Sequence, residues 1–119
     1  KITPVATAEE VTEAAALCKT CSVSDDVMAY MAALCEAARN PEKVRLGPSP
    51  RALLALMRCC QALAAIRGRD YVIPGDVKEV FITTIAHRLI LTPKAEVQNK
   101  TPEGLLQQIL ERVHAPKLR

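Results

Sequence analysis

The stretch that decides the fold is GPSPRALLALMRCCQALAAIRG, residues 47–68. Ser49 is a typical N-cap, and Pro50 suits the first helical position because the N–H that it lacks has no helical partner there. Gly68 is a typical residue after a helix, since glycine adopts the left-handed backbone conformation at little cost. The residues between them are apolar at helical spacing over much of the circumference. We therefore predict a long central helix that ends at Gly68.

Proline, glycine and capping residues divide the remaining chain into four further helical segments. These lie within residues 7–19, 23–39, 74–91 and 102–113. Residues 40–50 are predicted to form a polar loop from which Val44 and Leu46 can turn inward, and residues 92–101 a linker before the last helix. The fold class predicted is all-α, a small bundle of about five helices in one domain spanning residues 1–119.

Each predicted helix carries an apolar stripe that we expect to face the core. In chain order the stripes are Val11, Ala14, Ala15 and Cys18; Val27, Met31, Leu34, Cys35 and Ala38; Leu53, Leu56, Met57, Cys60, Leu63 and Ala64, widened by Leu54 and Ile66; Val77, Val80, Phe81, Ile85 and Leu89; and Leu105, Leu106, Ile109, Leu110 and Val113.

Composition narrows the class of protein. Half of the residues are hydrophobic, but only Tyr30, Tyr71 and Phe81 are aromatic, which suits closely packed helices. No apolar run approaches the length of a membrane span, and the first residues lack a signal-peptide pattern, so a cytoplasmic location is expected. The net charge of +3 permits an anionic partner without requiring one, because acidic and basic residues are interspersed.

The cysteines give little support to a metal or redox site. Cys18 and Cys21 form a CxxC motif, but a structural zinc site needs four ligands and the chain offers no second pair at a suitable spacing. The motif also lies at the C-terminal end of a predicted helix, whereas redox motifs favour a helix N-terminus. We predict no metal site, and the absence of a G-x-x-x-x-G-K-[ST] loop argues against a phosphate-binding loop in this chain.

Arg51 is unusual because it opens the central helix, where acidic side chains are favoured. The amides of a helix's first turn and a nearby guanidinium can together hold a phosphate. The alternative is a salt bridge to Glu42 or another nearby acid. A second basic pair, Arg67 and Arg69 around Gly68, is first interpreted as compensating the helix dipole.

Three motifs in register carry a resemblance to a known family. GPSPRA, GRDYVIPGDV and HRLIL resemble the C-terminal lid subdomain of MoxR-family AAA+ ATPases, and the resemblance extends from about Pro4 to Val113. The Walker A, Walker B and sensor 1 elements of that family are absent, so the resemblance implies a fragment of an ATPase. Ile73 stands where the family often has a capping threonine, which predicts a weaker cap for the fourth helix.

The resemblance implies a role for Arg51 as the sensor-2 residue, which reaches the γ-phosphate of ATP held by the missing large subdomain. Ser49 and Pro50 would form the nucleotide-facing site with it. ATP and Mg²⁺ are expected as cofactors of the full-length protein, and this fragment alone is expected to bind none and not to hydrolyse ATP. No hydrolytic role is assigned to Arg39, Arg69 or Arg88, which also match family arginines.

The resemblance further implies partners: the large AAA+ subdomain, neighbouring subunits of a ring that is hexameric in the family, and proteins with von Willebrand factor A domains. It implies a bacterial, chaperone-like assembly factor. The alternative is a stand-alone nucleic-acid-binding module, because GRDYVIPGDVKEV also resembles the final helix of histone-fold proteins. Against this alternative, the positive charge is scattered and no aromatic residue is placed for base stacking.

Overall fold

The computed structural model describes residues 2–117 and consists mainly of helices. The six α-helices are α1 (Ala8–Cys18), α2 (Asp25–Ala37), α3 (Pro50–Ile66), α4 (Pro74–Ile85), α5 (Pro93–Val97) and α6 (Pro102–Arg112). Two short strands, β1 (Val44–Leu46) and β2 (Ile90–Leu91), and a 3₁₀ turn at Ala86–Arg88 complete the described elements. The predicted all-α class is confirmed.

Side-chain caps fix where the helices begin. Five helices have a serine or threonine N-cap whose oxygen accepts a backbone N–H of the first turn, at Thr7, Ser24, Ser49, Thr92 and Thr101. Thr7 and Glu10 form the predicted capping box, with both hydrogen bonds at 3.1 Å. Gly68 has φ = 76°, the left-handed conformation expected where α3 ends.

The core lies between α2, α3, α4 and α6, with α3 and α4 as closest neighbours. All five predicted residues of the α2 stripe are buried, as are Leu56, Cys60 and Ala64 of α3. Two members of the widened α3 stripe, Leu54 and Ile66, are exposed instead. The fully covered side of α3 is therefore the narrower stripe of Ala52, Leu56, Cys60 and Ala64.

The predicted fourth helix is too long. It ends at Ile85, and the chain continues through the 3₁₀ turn into β2, which pairs antiparallel with β1. The change of conformation has a packing reason: Leu89 and Leu91 are both buried while Ile90 is exposed, a period-2 pattern that only extended backbone provides. Val44 is buried as predicted.

Leu46 does not turn inward. The pairing of β1 with β2 changes register between Val44 and Leu46, and such an irregularity breaks the alternation that would place both side chains on one face. Residues 92–101, predicted as a linker, contain α5, which Thr92 caps and which buries Ala95.

Helix α1 departs most from expectation. It forms where predicted, but none of its residues is buried, so its apolar stripe of Val11, Ala14, Ala15 and Cys18 is not part of the core. The end of α1 is attached to α3, since the buried Gln61 donates from Nε2 to the carbonyl oxygen of Cys21 at 2.9 Å. Within the described residues, no helix combines the length and apolarity that crossing a membrane requires.

Candidate functional site

Arg51 lies at the second position of α3, and its side chain is exposed. Its neighbour Ala52 is completely buried, which fixes the rotation of the helix about its axis and turns Arg51 away from the core. Among residues 2–117, no acidic group lies within ion-pairing distance of the Arg51 guanidinium. The salt bridge to Glu42 that we considered as an alternative is therefore not present.

The loop before α3 is fastened to the end of α2. Arg39 donates from Nε to the carbonyl oxygen of Pro48 at 3.0 Å, and Pro48 is fully buried. Gly47 lies so close to Arg39 that an added Cβ would come within 2.9 Å of the Arg39 Cγ and 3.3 Å of its Cα. Arg39 is held in turn by Glu36, with Nη1 and Oε2 2.7 Å apart. This packing fixes the start of α3 and hence the origin of the Arg51 side chain.

Few amides are free at the start of α3. Pro50 has no N–H, the N–H of Ala52 bonds to Ser49, and that of Leu53 bonds to the Ser49 carbonyl at 3.3 Å. Within the described residues, the N–H of Arg51 has no protein acceptor. The first turn therefore offers one free amide, the Arg51 guanidinium and the hydrogen of the Ser49 hydroxyl, a smaller donor set than a fully open helix N-terminus.

The other end of α3 carries a cluster of ion pairs, although Arg67 and Arg69 were expected only to compensate the helix dipole. Arg69 makes a bidentate ion pair with Asp76, with nitrogen–oxygen distances of 2.6 and 2.8 Å. Arg67 lies 3.8 Å from Asp76 and 2.7 Å from Glu79. Arg69 also lies over the ring of Tyr71, 5.8 Å from its centroid. The two arginines thus join the end of α3 to the first turns of α4, and dipole compensation is not their main role.

Asp76 is the centre of this cluster and its side chain is 0% exposed. It also accepts the N–H of Ile73 at 3.0 Å, which supplies the cap that the isoleucine side chain cannot provide. Burial by itself would raise the pKa of Asp76, but the hydrogen bonds from Arg69 and Ile73 and the charges of Arg69 and Arg67 outweigh it and hold the pKa below its usual value. Asp76 is therefore ionised in the folded protein at neutral pH.

The cysteines form no metal centre in the described residues, where no group of three potential ligands comes together. Cys21 is buried and its thiol lies 3.6 Å from the Arg69 carbonyl oxygen, while Cys18 is partly exposed. Burial raises the pKa of the Cys60 thiol to about 12, and the nearby negative charge of Asp76 adds to the shift. Cys60 and Cys35 act as core residues, as their positions predicted.

Residues 36–109 match the family model described as the AAA lid domain, which is more than half of the chain. The chain belongs to the AAA lid domain family. The matched residues contain α3 with Arg51, the Arg69–Asp76 cluster and the β1–β2 pair.

Several relatives of this chain carry the name MoxR. This chain is 38% identical over 98 residues to "Chaperone MoxR1" of Mycobacterium tuberculosis, and the match covers 75% of this chain and 26% of that protein. It is 33% identical to "Protein MoxR" of Paracoccus denitrificans, covering 72% of this chain and 28% of that protein. The predicted MoxR-type AAA+ lid is confirmed, and the lid spans about a quarter of the length of these relatives.

A solved structure has the same fold. A crystal structure of a candidate ATPase from Cytophaga hutchinsonii superposes with a TM-score of 0.80 at 29% sequence identity. The match covers 91% of the lid and 34% of that chain. These comparisons favour the AAA+ interpretation of GRDYVIPGDV over the histone-fold alternative.

Sequence reasoning missed Arg39 as the residue that supports the start of α3. No local pattern marks it, because its partner carbonyl lies nine residues away across a loop. The Arg69–Asp76 pair had a signal, an acidic residue at the third position of a helix whose N-cap has no side-chain acceptor. In the structure, the Asp76 carboxylate both caps α4, by accepting the N–H of Ile73, and forms the ion pair with Arg69.

Proposed function

We propose that this chain is the lid of a MoxR-type AAA+ ATPase, and that Arg51 is its sensor-2 arginine. The observation that carries the proposal is the state of Arg51: exposed, without an acidic partner in the described residues, and projecting from a helix start fixed by buried neighbours. A surface arginine that has no function is usually solvated by water or paired with a nearby acidic residue. An arginine held in this way suits an anion supplied by another part of the protein.

The donors at the start of α3 fit a terminal phosphate. The Arg51 guanidinium can grip two phosphate oxygens, and the free Arg51 N–H and the Ser49 hydroxyl offer further hydrogen bonds. Pro50 contributes no donor, so its part is to set the backbone of the first turn. Bound ATP with Mg²⁺ would supply the phosphoryl group that is transferred to water. Arg51 would neutralise the negative charge that builds up on the phosphoryl oxygens.

The same residues would couple the nucleotide state to movement of the lid. Arg51 finds its anion only while a terminal phosphate is present, so losing that phosphate removes one contact between the lid and the large subdomain. Helix α3 would transmit the change as a rigid element, since Leu56, Cys60 and Ala64 bury it along its length. A two-state movement of this kind depends on the difference in contact energy between the two states.

The test is the substitution Arg51→Ala in the longer ATPase that carries the large subdomain. We expect ATP hydrolysis to fall by roughly 100-fold, the usual cost of removing a charge-stabilising donor. Arg58→Ala is the matched control, because Arg58 is also exposed and unpaired in the described residues and lies about two turns further along the same helix. The melting temperature of the 119-residue chain should not change with either substitution.

Unchanged hydrolysis in the Arg51→Ala variant would refute the sensor role. An equal loss in the Arg58→Ala variant would also refute it, since the effect would then follow the charge of the helix and not the position of Arg51. Arg51→Lys refines the test: a lysine keeps the charge but loses the bidentate grip, so we expect partial activity.

The wider setting is proposed from the family alone. We propose a cytoplasmic bacterial ATPase that forms a ring, six-membered as in its family, in which each lid contacts its own large subdomain and a neighbouring subunit. A chaperone-like task and partners with von Willebrand factor A domains belong to the same proposal. Gel filtration with light scattering of the longer protein, with and without ATP, tests the ring.

A further inference from the structure

Arg39, just after the end of α2, holds the backbone of the loop that leads into α3. Its Nε donates to the carbonyl oxygen of Pro48 at 3.0 Å, and its Nη1 lies 2.7 Å from Oε2 of Glu36. The ion pair lies at the surface, because the Glu36 side chain is 75% exposed, whereas Pro48 is fully buried. Since exposed ion pairs contribute little, the hydrogen bond to Pro48 is the contact by which Arg39 holds the loop.

Gly47 lets the loop pack directly on Arg39. A Cβ added at Gly47 would come within 2.9 Å of the Arg39 Cγ, 3.3 Å of the Arg39 Cα and 3.4 Å of the Ala38 carbonyl oxygen. Two of these three atoms belong to the backbone, so they cannot move aside as the end of a flexible side chain can. The loop therefore lies against the end of α2 at a distance that leaves no room for a larger residue.

The chain between Pro48 and Arg51 is stiff. The rings of Pro48 and Pro50 fix φ at both residues, and Ser49, which precedes a proline, is confined to extended backbone, with φ = −81° and ψ = 170°. The Cα atoms of Pro48 and Arg51 are three peptide units apart, at most about 11 Å. Few free torsions therefore remain to absorb a shift of the Pro48 carbonyl before it reaches Arg51.

We propose that Arg39 is a positioning residue for ATP hydrolysis, which acts by holding the Arg51 guanidinium where the terminal phosphate binds. The inference rests on the proposed function, because it requires Arg51 to contact that phosphate. In this role Arg39 itself contacts neither the nucleotide nor the attacking water. A misplacement of about 1 Å can cost roughly 100-fold in rate, so losing the contact that sets the origin of Arg51 should lower hydrolysis measurably.

Steady-state ATP hydrolysis by the longer ATPase that carries the large subdomain provides the first test. Arg39→Ala removes the donor to Pro48, and Gly47→Ala forces the loop away from Arg39 without changing any charge. Both substitutions should lower kcat roughly tenfold. The matched controls should hydrolyse ATP at the wild-type rate. They are Glu36→Gln, which removes only the surface ion pair, and Gly75→Ala, whose added Cβ would make only an ordinary contact at 3.7 Å.

Double variants separate the positioning of Arg51 from a general structural role. In an Arg51→Ala background no guanidinium is left to position, so Arg39→Ala should cause no further loss of hydrolysis. Losses that multiply would overturn the inference, because Arg39 would then act by another route. Wild-type hydrolysis in both Arg39→Ala and Gly47→Ala would also overturn it, and a loss in Arg51→Ala would still leave the sensor role standing. Failure of the sensor role is a separate result, seen in Arg51→Ala alone.

Amide hydrogen exchange of the nucleotide-free ATPase gives a readout that does not depend on hydrolysis. The N–H groups of Ala52 and Leu53 bond to Ser49, in the turn that the loop leads into. In Arg39→Ala these two amides should exchange roughly tenfold faster, while the amide of Cys60 in the middle of α3 keeps its wild-type rate. Unchanged exchange at Ala52 and Leu53 would overturn the inference. Faster exchange along the whole of α3 would do so as well, because Arg39 would then stabilise the entire lid.

Discussion

Replacement of Asp76 by asparagine is the sharpest test of how the lid is held together. The substitution keeps the size of the side chain but removes a carboxylate that is 0% exposed and accepts three hydrogen bonds, two from Arg69 and one from Ile73. Asparagine has one acceptor oxygen, and its amide would place N–H groups against a donor. We therefore expect a large loss of stability from a change of very few atoms.

The size of the effect follows from the environment. Breaking a buried ion pair by removing one partner costs about 3–5 kcal/mol. The Arg69 side chain is 19% exposed, so water can take up part of its lost contact, which places the expected loss for Asp76→Asn near the lower end, at about 3 kcal/mol. With a urea m-value of roughly 1.5 kcal/mol/M, the midpoint should fall by about 2 M.

The assay is urea unfolding of the 119-residue chain, followed by circular dichroism. Glu79→Gln is the control, since Glu79 pairs with Arg67 at 2.7 Å but both side chains are about half exposed. Exposed pairs of this kind contribute below about 1 kcal/mol. A loss below about 1 kcal/mol for Asp76→Asn, or equal losses for the two variants, would refute our description of the cluster.

The pH dependence gives a second check on the same residue. Because the folded-state pKa of Asp76 lies below the ordinary value of 3.8, its ionised form stabilises the fold above that pH, and this contribution is lost as the pH falls through the folded-state pKa. The stability difference between the wild type and Asp76→Asn should thus be full at pH 6 and shrink below about pH 4. A constant difference from pH 6 to pH 2 would contradict the assignment.

Two other predictions concern buried groups. The hydroxyl of Tyr30 is buried and finds no hydrogen-bond partner within residues 2–117, so Tyr30→Phe should stabilise the lid by about 1 kcal/mol in urea unfolding; destabilisation would mean that the hydroxyl is satisfied. The reaction rates of the thiols should follow their exposure: an aromatic disulfide reagent should modify the exposed Cys59 roughly 100-fold faster than Cys35 or Cys60. Comparable rates in the native state would contradict the placement of Cys35 and Cys60 in the core.

The sequence predicted burial correctly where other described parts of this chain pack against the apolar stripe of a helix. In α2, period and burial agree at every predicted position from Val27 to Ala38. The stripe of α1 has the same kind of period and is not buried, because periodicity reports which side of a helix is apolar and not what covers it. The predicted end of α4 was wrong for another reason. The strand β2 that follows it pairs with β1, more than forty residues away in the chain, and no local pattern specifies such a pairing.

The candidate site was predictable only in part. Ser49, Pro50 and Arg51 followed from local rules for helix starts, and the structure places them at the start of α3. The number of free amides at the start of α3 could not be predicted from the sequence, because it depends on which N–H groups the hydroxyl and carbonyl oxygens of Ser49 accept. The absence of an acidic partner for Arg51 within the described residues could not be read from the sequence either, since Glu42 is close along the chain.

Both ends of α3 are attached to neighbouring helices, which bears on the sensor role that we propose for Arg51. At the start, Arg39 and Gly47 pack against each other, and the Pro48 carbonyl accepts from Arg39. At the end, Arg69 binds the first turn of α4 through Asp76. In the sensor role that we propose for Arg51, these attachments would pass a displacement of α3 to both α2 and α4. Loosening either end should therefore weaken the coupling between nucleotide and lid without touching Arg51.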